Sequence, residues 1–345
     1  MGHPADLSRG CCFEVGQADL SVTRMVEAGP GTPDGGEVLF EVEKFAFSAN
    51  NVTYALLGEA LRYWDIFPAE PGWGRIPVWG YLHVLSSGVP GIEPGRRAYG
   101  LCPMATRVLL RPGRLGRSTF SEGSPSRKGL SSVYNVYSWA DPGPHEDTLL
   151  VLSPSFWLSF TLDDYLARNT PADRAVVVTS ASSKAAVGLA HLLSRRGVPV
   201  AGLTSPSRLA FARSLSLYDQ VLPYDQAESL PAGAATVVDI AGDAALRDRI
   251  DRHLGQQSDI VIAGGTHGDV GSLAFSAPQA IGDLAHEWGW ALLDQRFRAA
   301  LASFAAHADS WLAIRRHRGL EDAAALYQRV LTNADSPAEA HLIEV

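Results

Sequence analysis

Cysteine is scarce in this chain: 345 residues hold three, Cys11, Cys12 and Cys102, and the first two are adjacent. Adjacent thiols are too cramped for an ordinary bridge, so a disulfide framework is excluded and a reducing compartment is expected. No thiols cluster at the spacing of a structural zinc site, and the ten histidines form no H-x-x-x-H pair, so no metal is expected. The formal charge of −8 is modest and lacks any block of five or six like charges, which leaves neither nucleic acid nor an anionic membrane with a footprint. Residues 1–10 are polar and the longest apolar run, 149–160, is interrupted by Ser and Pro; neither a leader nor a spanning segment is expected. Three catalytic signatures are missing too. Without a G-x-S-x-G elbow, a G-x-x-x-x-G-K-[ST] loop or a Cys/His nucleophile pair, an α/β-hydrolase, a P-loop NTPase and a thiol enzyme are all disfavoured. A cytoplasmic protein with a small-molecule or carrier-bound substrate is the expectation.

What is present changes texture along the chain. Residues 12–105 read as short strands between turns, with FEV, SVTRMVEA and EVLFEVEKFAF separated by PGTPDGG, as in a partly open barrel. Residues 111–147 are rich in Arg, Ser, Gly and Pro and read as a loop-rich bridge, followed by a helix in SFWLSFTLDDYLARNTP. From residue 174 onward, β-branched runs (AVVVT, VPVAGLT, ATVVDI, DIVIAGG) alternate with amphipathic stretches such as KAAVGLAHLLSRRG and DAALRDRIDRHLG. That alternation predicts a doubly wound parallel sheet with both faces covered. The tail from residue 275 reads as helices ending in a strand-like HLIEV. The fold class is α/β, with a β-rich lobe and bridge over 1–150, a nucleotide-binding lobe over 151–290 and a return to the first lobe over 291–345.

In such a sheet the ligand lies at the carboxyl ends of the strands, against a strand-turn-helix that offers backbone N–H groups and a helix dipole. Here that turn is Thr179-Ser180-Ala181-Ser182-Ser183-Lys184-Ala185-Ala186, in which every glycine of G-x-G-x-x-G has become Ser or Ala. Ser182 or Ser183 can cap the helix or give a hydroxyl to a phosphate, Lys184 adds a charge, and Ala185 permits close packing. An NAD enzyme would place an acid at the end of the next strand to hold the ribose 2′-hydroxyl; this chain has Thr204, Ser205 and Arg208 instead. Two hydroxyls and a guanidinium favour a 2′-phosphate, hence NADP. Tyr224 can flank the adenosine, and Gly264 and Gly265 close a later strand of the same pocket.

Several stretches carry a family resemblance: ANNVTYALLGEALRYWDIFP (49–68), PVWGYLHVLSSGVPGIEPGRRAYGLCPMAT (77–106), YNVYSWADP (134–142), SASSKAAVG (180–188), GLTSPSRLAFARSLSLYDQVLPYD (202–225) and FSAPQAI (275–281). On these the chain resembles the zinc-independent medium-chain dehydrogenase/reductase superfamily, its quinone oxidoreductases and enoyl reductases, and more nearly a branch known only as a domain of unknown function. The resemblance implies a GroES-like catalytic lobe, a Rossmann lobe, NADPH as hydride donor, an active site between the lobes and a homodimer. Zinc-dependent relatives carry a Cys near Asn50 and a His-Glu pair near Gly80 and Tyr81, and neither occurs here.

Hydride transfer to a carbonyl or an α,β-unsaturated carbonyl builds charge on oxygen, so a donor is needed there. Enoyl-reductase-like relatives often place a Tyr in the segment holding Tyr54, which is therefore the first candidate, with Asn50 and Asn51 as amide donors; a Tyr packed on the barrel is the competing reading. Tyr134, Asn135 and Tyr137 rank second. Arg107, Arg111, Arg114, Arg117, Arg127 and Lys128 could receive an acidic or phosphopantetheine-borne substrate or form a solvated face. Trp64, Phe67, Trp73 and Trp79 could wall an apolar pocket or belong to the core, and His267 could face the nicotinamide or solvent. Two rivals to the reductase remain: a non-redox lyase or cyclase using Tyr54, and a non-catalytic nucleotide-binding or partner-docking protein.

Overall fold

The computed structural model describes residues 10–27, 32–171, 173–231, 233–255, 258–263, 275–332 and 335–345. Along the chain, β1 (Cys11–Gly16), β2 (Thr23–Glu27) and β3 (Val38–Phe47) precede α1 (Ala49–Leu56). Then come β4 (Trp73–Gly74), β5 (Pro77–Ser87), β6 (Arg97–Pro103), β7 (Arg107–Leu110), β8 (Pro112–Leu115), β9 (Thr119–Glu122) and β10 (Val136–Trp139). After α2 (Glu146–Asn169) the chain alternates through β11 (Ala175–Thr179), α3 (Lys184–Arg195), β12 (Val200–Thr204), α4 (Leu209–Ser214), β13 (Gln220–Pro223), β14 (Ala235–Asp239), α5 (Ala244–Leu254) and β15 (Asp259–Ile262). It closes with α6 (Ala277–Trp288), α7 (Trp290–Ala308), β16 (Ala313–Arg318), α8 (Gly319–Leu331) and β17 (Glu339–Glu344).

Two units result, one from residues up to Val151 together with Ile314–Val345, the other from Leu152–Ala313. In the first, a mixed sheet runs in the order β16-β17-β3-β5-β6-β10-β9-β8 with β7 also on β3, and a three-stranded sheet runs β2-β1-β4. The second holds a parallel sheet in the order β13-β12-β11-β14-β15. Four of the five residues of β11 and all five of β14 are buried, as a sheet covered on both faces requires. Val177, Leu203, Leu222 and Val237 pack against Leu246, Ile250 and Leu254 of α5, which puts the apolar stripe of that helix on the sheet.

Two expectations change. The bridge at 111–147 contains β8, β9 and β10, which extend the main sheet; alternation over four residues each is too short a signal among so many Gly and Pro, yet Phe120 and Tyr137 are buried and stacked 4.9 Å apart. Residues 291–313, grouped from sequence with the return to the first lobe, lie in the second unit. The cause is aromatic: Phe297 of α7 stacks on Trp157 of α2 at 3.6 Å and Phe304 on Phe156 at 5.1 Å.

A tight spot in the first unit positions the segment after α1. A Cβ at Gly58 would stand 2.0 Å from the Trp64 indole and one at Gly74 would stand 2.5 Å from it, so the ring is held between two glycines and cannot retreat from either. Gly58→Ala is expected to cost about 1–3 kcal/mol by overpacking, read as a lower urea midpoint; an unchanged midpoint would mean that Trp64 has room to rotate.

Candidate functional site

The turn after β11 is built around strain. Ser180 has φ 55°, a left-handed conformation that costs a side-chain-bearing residue about 1–2 kcal/mol and that glycine takes freely. Neighbours hold it there. The Ala181 N–H donates to Leu203 O (3.0 Å), the Ala181 carbonyl accepts from the Tyr218 hydroxyl (2.8 Å), and the Ser183 N–H donates to Ser180 O (2.7 Å). Gly202 of β12 makes room, since a Cβ there would meet that of Ala181 at 2.8 Å.

Ser183 is the N-cap of α3 and accepts the Ala186 N–H (3.2 Å). The N–H groups of Ser182 and Ala185 engage no acceptor among the described residues, leaving donors at the positive end of a twelve-residue helix. Thr204 is buried and its hydroxyl donates to Ser182 Oγ (3.2 Å), so it orients Ser182 instead of lining the pocket itself. Ser205 and Ser207 share a hydroxyl contact (3.2 Å), Arg208 ends the 3₁₀ turn Pro206–Arg208, and residues 205–208 contain no carboxylate. Lys184 and Arg208 are half-buried. Tyr224 returns to the same turn: burial pushes its pKa up while the Ser180 N–H and hydroxyl, donating to its oxygen, pull it back. Gly264, Gly265 and His267 lie outside the described residues.

A buried ion pair shapes the adjoining strand end. Asp239, the last residue of β14, is fully buried and accepts from the Thr179 hydroxyl (2.7 Å), the Gly242 N–H (3.0 Å) and Arg247 Nη1 of α5 (2.8 Å). Thr179 Oγ1 in turn accepts the N–H groups of Ile240 and Ala241. The loop 240–243 is thereby fixed by one carboxylate and one hydroxyl. Sequence reasoning passed over Asp239 and Arg247, although an acid ending an otherwise apolar buried strand was a signal.

In the first unit, α1 presents Asn50 and Tyr54 one turn apart on one face. Asn51 does not join them. Its carbonyl oxygen accepts the Ser48 N–H (2.9 Å) in a capping box and its amide donates to Pro77 O (3.0 Å), so its polar atoms fasten α1 to β5. Tyr54 is half-buried, and the Trp79 indole and the Asn50 amide approach its hydroxyl as donors. Its ring meets Tyr63 edge-on at 4.8 Å and Tyr134 at 6.3 Å, while the Tyr63 and Tyr134 hydroxyls are hydrogen-bonded at 3.1 Å. Burial raises all three phenols: Tyr54 upward despite its two donors, Tyr63 to about 12, and Tyr134 well above its ordinary value with Tyr54 and Tyr63 adding to the effect. They remain neutral proton donors through the physiological range. Tyr63 was not singled out from sequence, because the turn at 57–62 separates it from Tyr54 with no periodicity.

Other candidates disperse. Tyr137 is fully buried, donates to Leu101 O and fills the space that Gly100 leaves open, a packing role. Trp73 carries Arg24 over its ring at 4.0 Å, and Phe67 lies under Arg127 at 4.5 Å, so of the four aromatics only Trp79 reaches Tyr54. Arg127 is buried against Glu122, and Arg111 pairs with Glu37, an acid the sequence reading had not set against that cluster. At Gly80 a Cβ would stand 2.6 Å from the Lys44 carbonyl oxygen, so this strand position has no room for a side chain. No helix among the described residues is long and apolar enough to cross a membrane.

The architecture has solved counterparts. CurA from Vibrio vulnificus is 15% identical with a TM-score of 0.64, over 97% of this chain and 98% of that one. The quinone oxidoreductase from Thermus thermophilus, described with its NADPH complex, is 15% identical with a TM-score of 0.57 over 97% and 100%. The mitochondrial 2-enoyl thioester reductase Etr1p/Etr2p heterodimer from Candida tropicalis is 12% identical with a TM-score of 0.58 over 97% and 99%. The fold is thus that of the medium-chain quinone and enoyl reductases. No curated protein matches the sequence. The model of the family described as Protein of unknown function (DUF2855) matches residues 45–335.

Proposed function

The chain belongs to the DUF2855 family, and on that footing we propose that it is an NADPH-dependent reductase of a carbonyl or α,β-unsaturated carbonyl, an enone, a quinone or a carrier-bound thioester, with no metal in the hydride step. The observation that carries this reading is the turn at 180–186: a strained left-handed Ser180, N–H groups of Ser182 and Ala185 that engage no acceptor among the described residues, and an acid-free strand end bearing Arg208. Structural relatives described with NADPH, a quinone oxidoreductase among them, share the fold and support the choice of nucleotide.

The residues fit the group. Ser182, Ser183 and the first turn of α3 would hold a pyrophosphate, Lys184 would add charge, and Ser205 and Arg208 would receive a 2′-phosphate where an acid would repel it. When bound, NADPH supplies the hydride. In the first unit Tyr54, neutral because buried, donates a hydrogen bond to the oxygen on which charge develops, and Asn50 and Trp79 fix its hydroxyl. A phenol kept protonated is a poor base, which favours reduction over a lyase that would need Tyr54 to abstract a proton. With no side chain possible at Gly80, a ligand at that strand position is unavailable, and Tyr54 takes the electrophilic role.

Titration of the purified protein with NADPH and NADH tests the reading. NADPH is expected to bind at least about tenfold more tightly than NADH, and Arg208→Ala to abolish that preference, a change of ~1.4 kcal/mol. Consumption of NADPH should follow with at least one member of an enone and quinone panel. Binding of neither nucleotide would sink the proposal; binding without turnover would favour the nucleotide-binding protein.

A further inference from the structure

The root of the last strand gathers metal-binding groups that the reductase reading does not use. Glu339 and His341 stand two apart on β17 and so share one face of the strand, and Asp335, in the connection from α8, comes back to them. One donor atom from each of the three lies within 4.8 Å of the other two. His341 is almost fully buried, 1% exposed, with Nε2 2.8 Å from Asp335 Oδ1 and Nδ1 3.0 Å from Nε2 of His317 on β16.

One imidazole nitrogen and two carboxylates thus stand within reach of a single ion. We propose that Asp335, Glu339 and His341 form a binding site for a divalent transition ion of the zinc class, which ties the start of β17 to the connection that precedes it. The ion would take the place of the proton now held between His341 Nε2 and Asp335, the three N and O donors leaving one position for water. His341 would then donate its Nδ1–H to His317 Nε2, the partner that fixes ring and tautomer. Arg315, paired with Glu339 at 2.6 Å, is the cation that an incoming ion must displace from that carboxylate. A search for paired histidines on a helix passes over this set, because its imidazole sits on a strand with a carboxylate two residues before it.

The test uses the full chain, free of any affinity tag and stripped with a chelator, titrated with Co2+ by visible absorption and with Zn2+ by calorimetry. One equivalent of Co2+, displaced by Zn2+, is expected, with a rise in melting temperature when zinc is added. Asp335→Asn and Glu339→Gln, which keep size and hydrogen bonding, should each weaken binding on the order of a hundredfold, and His317→Gln by about tenfold, while the metal-free variants melt as the wild type does. Absence of stoichiometric binding to the wild type overturns the proposal. So does binding undiminished in both carboxylate variants.

Discussion

Arg247→Leu is expected to destabilise the protein by about 3–5 kcal/mol, the range for stripping one partner from a buried ion pair. Asp239 is fully buried, and Arg247 supplies its only cationic partner among the described residues, at 2.8 Å. With the guanidinium gone, the Thr179 hydroxyl and the Gly242 N–H still donate to the carboxylate, but two neutral donors do not offset the desolvation of a full charge. Urea unfolding of the single variant and of Asp239→Asn with Arg247→Leu separates the charge from the packing. The double variant should recover part of the loss, because the Asn carbonyl still accepts from both donors. A single-variant change below about 1 kcal/mol would mean that water reaches Asp239. The same substitution should weaken NADPH binding, since Asp239 and Thr179 together fix the loop 240–243 beside the turn.

Tyr54→Phe carries the second large effect, a fall in kcat on the order of 10²–10⁴ with little change in KM, as removal of a positioned proton donor produces. The ring, which carries the edge contacts with Tyr63 and Tyr134, is retained, so the melting temperature should hold within a few degrees. Tyr134→Phe offers the comparison. It breaks the hydroxyl contact with Tyr63 but leaves Tyr54 and its neighbours in place, so kcat should fall far less. Equal losses in both variants would point to a role in packing for the whole cluster. An unchanged kcat in Tyr54→Phe would remove Tyr54 from the chemistry.

The parallel sheet was legible because apolar, β-branched runs alternate with amphipathic stretches, and β11, β12, β14 and β15 appear where those runs stand. The strands at 112–139 were not, since four-residue alternation is drowned by the turn residues around it. Site residues divide along the same line. Ser183 could be read as a helix cap from its place before α3, whereas the commitment of Asn51 to Ser48 and Pro77 depends on a partner 26 residues away. Tyr63, Asp239 and Arg247 acquire meaning only once the backbone brings them to Tyr54 and Thr179.

The placement of β17 between β16 and β3 has a consequence for biosynthesis. A ribosome synthesises the whole second unit, one uninterrupted stretch of chain, before it joins the residues that fill the sheet of the first unit beside β3. The second unit therefore has its complete sequence first, while the unit bearing Tyr54 waits with an open strand edge at β3 until residue 344 emerges. That interval is when the nascent protein is most exposed to misassociation through the unpaired edge of β3.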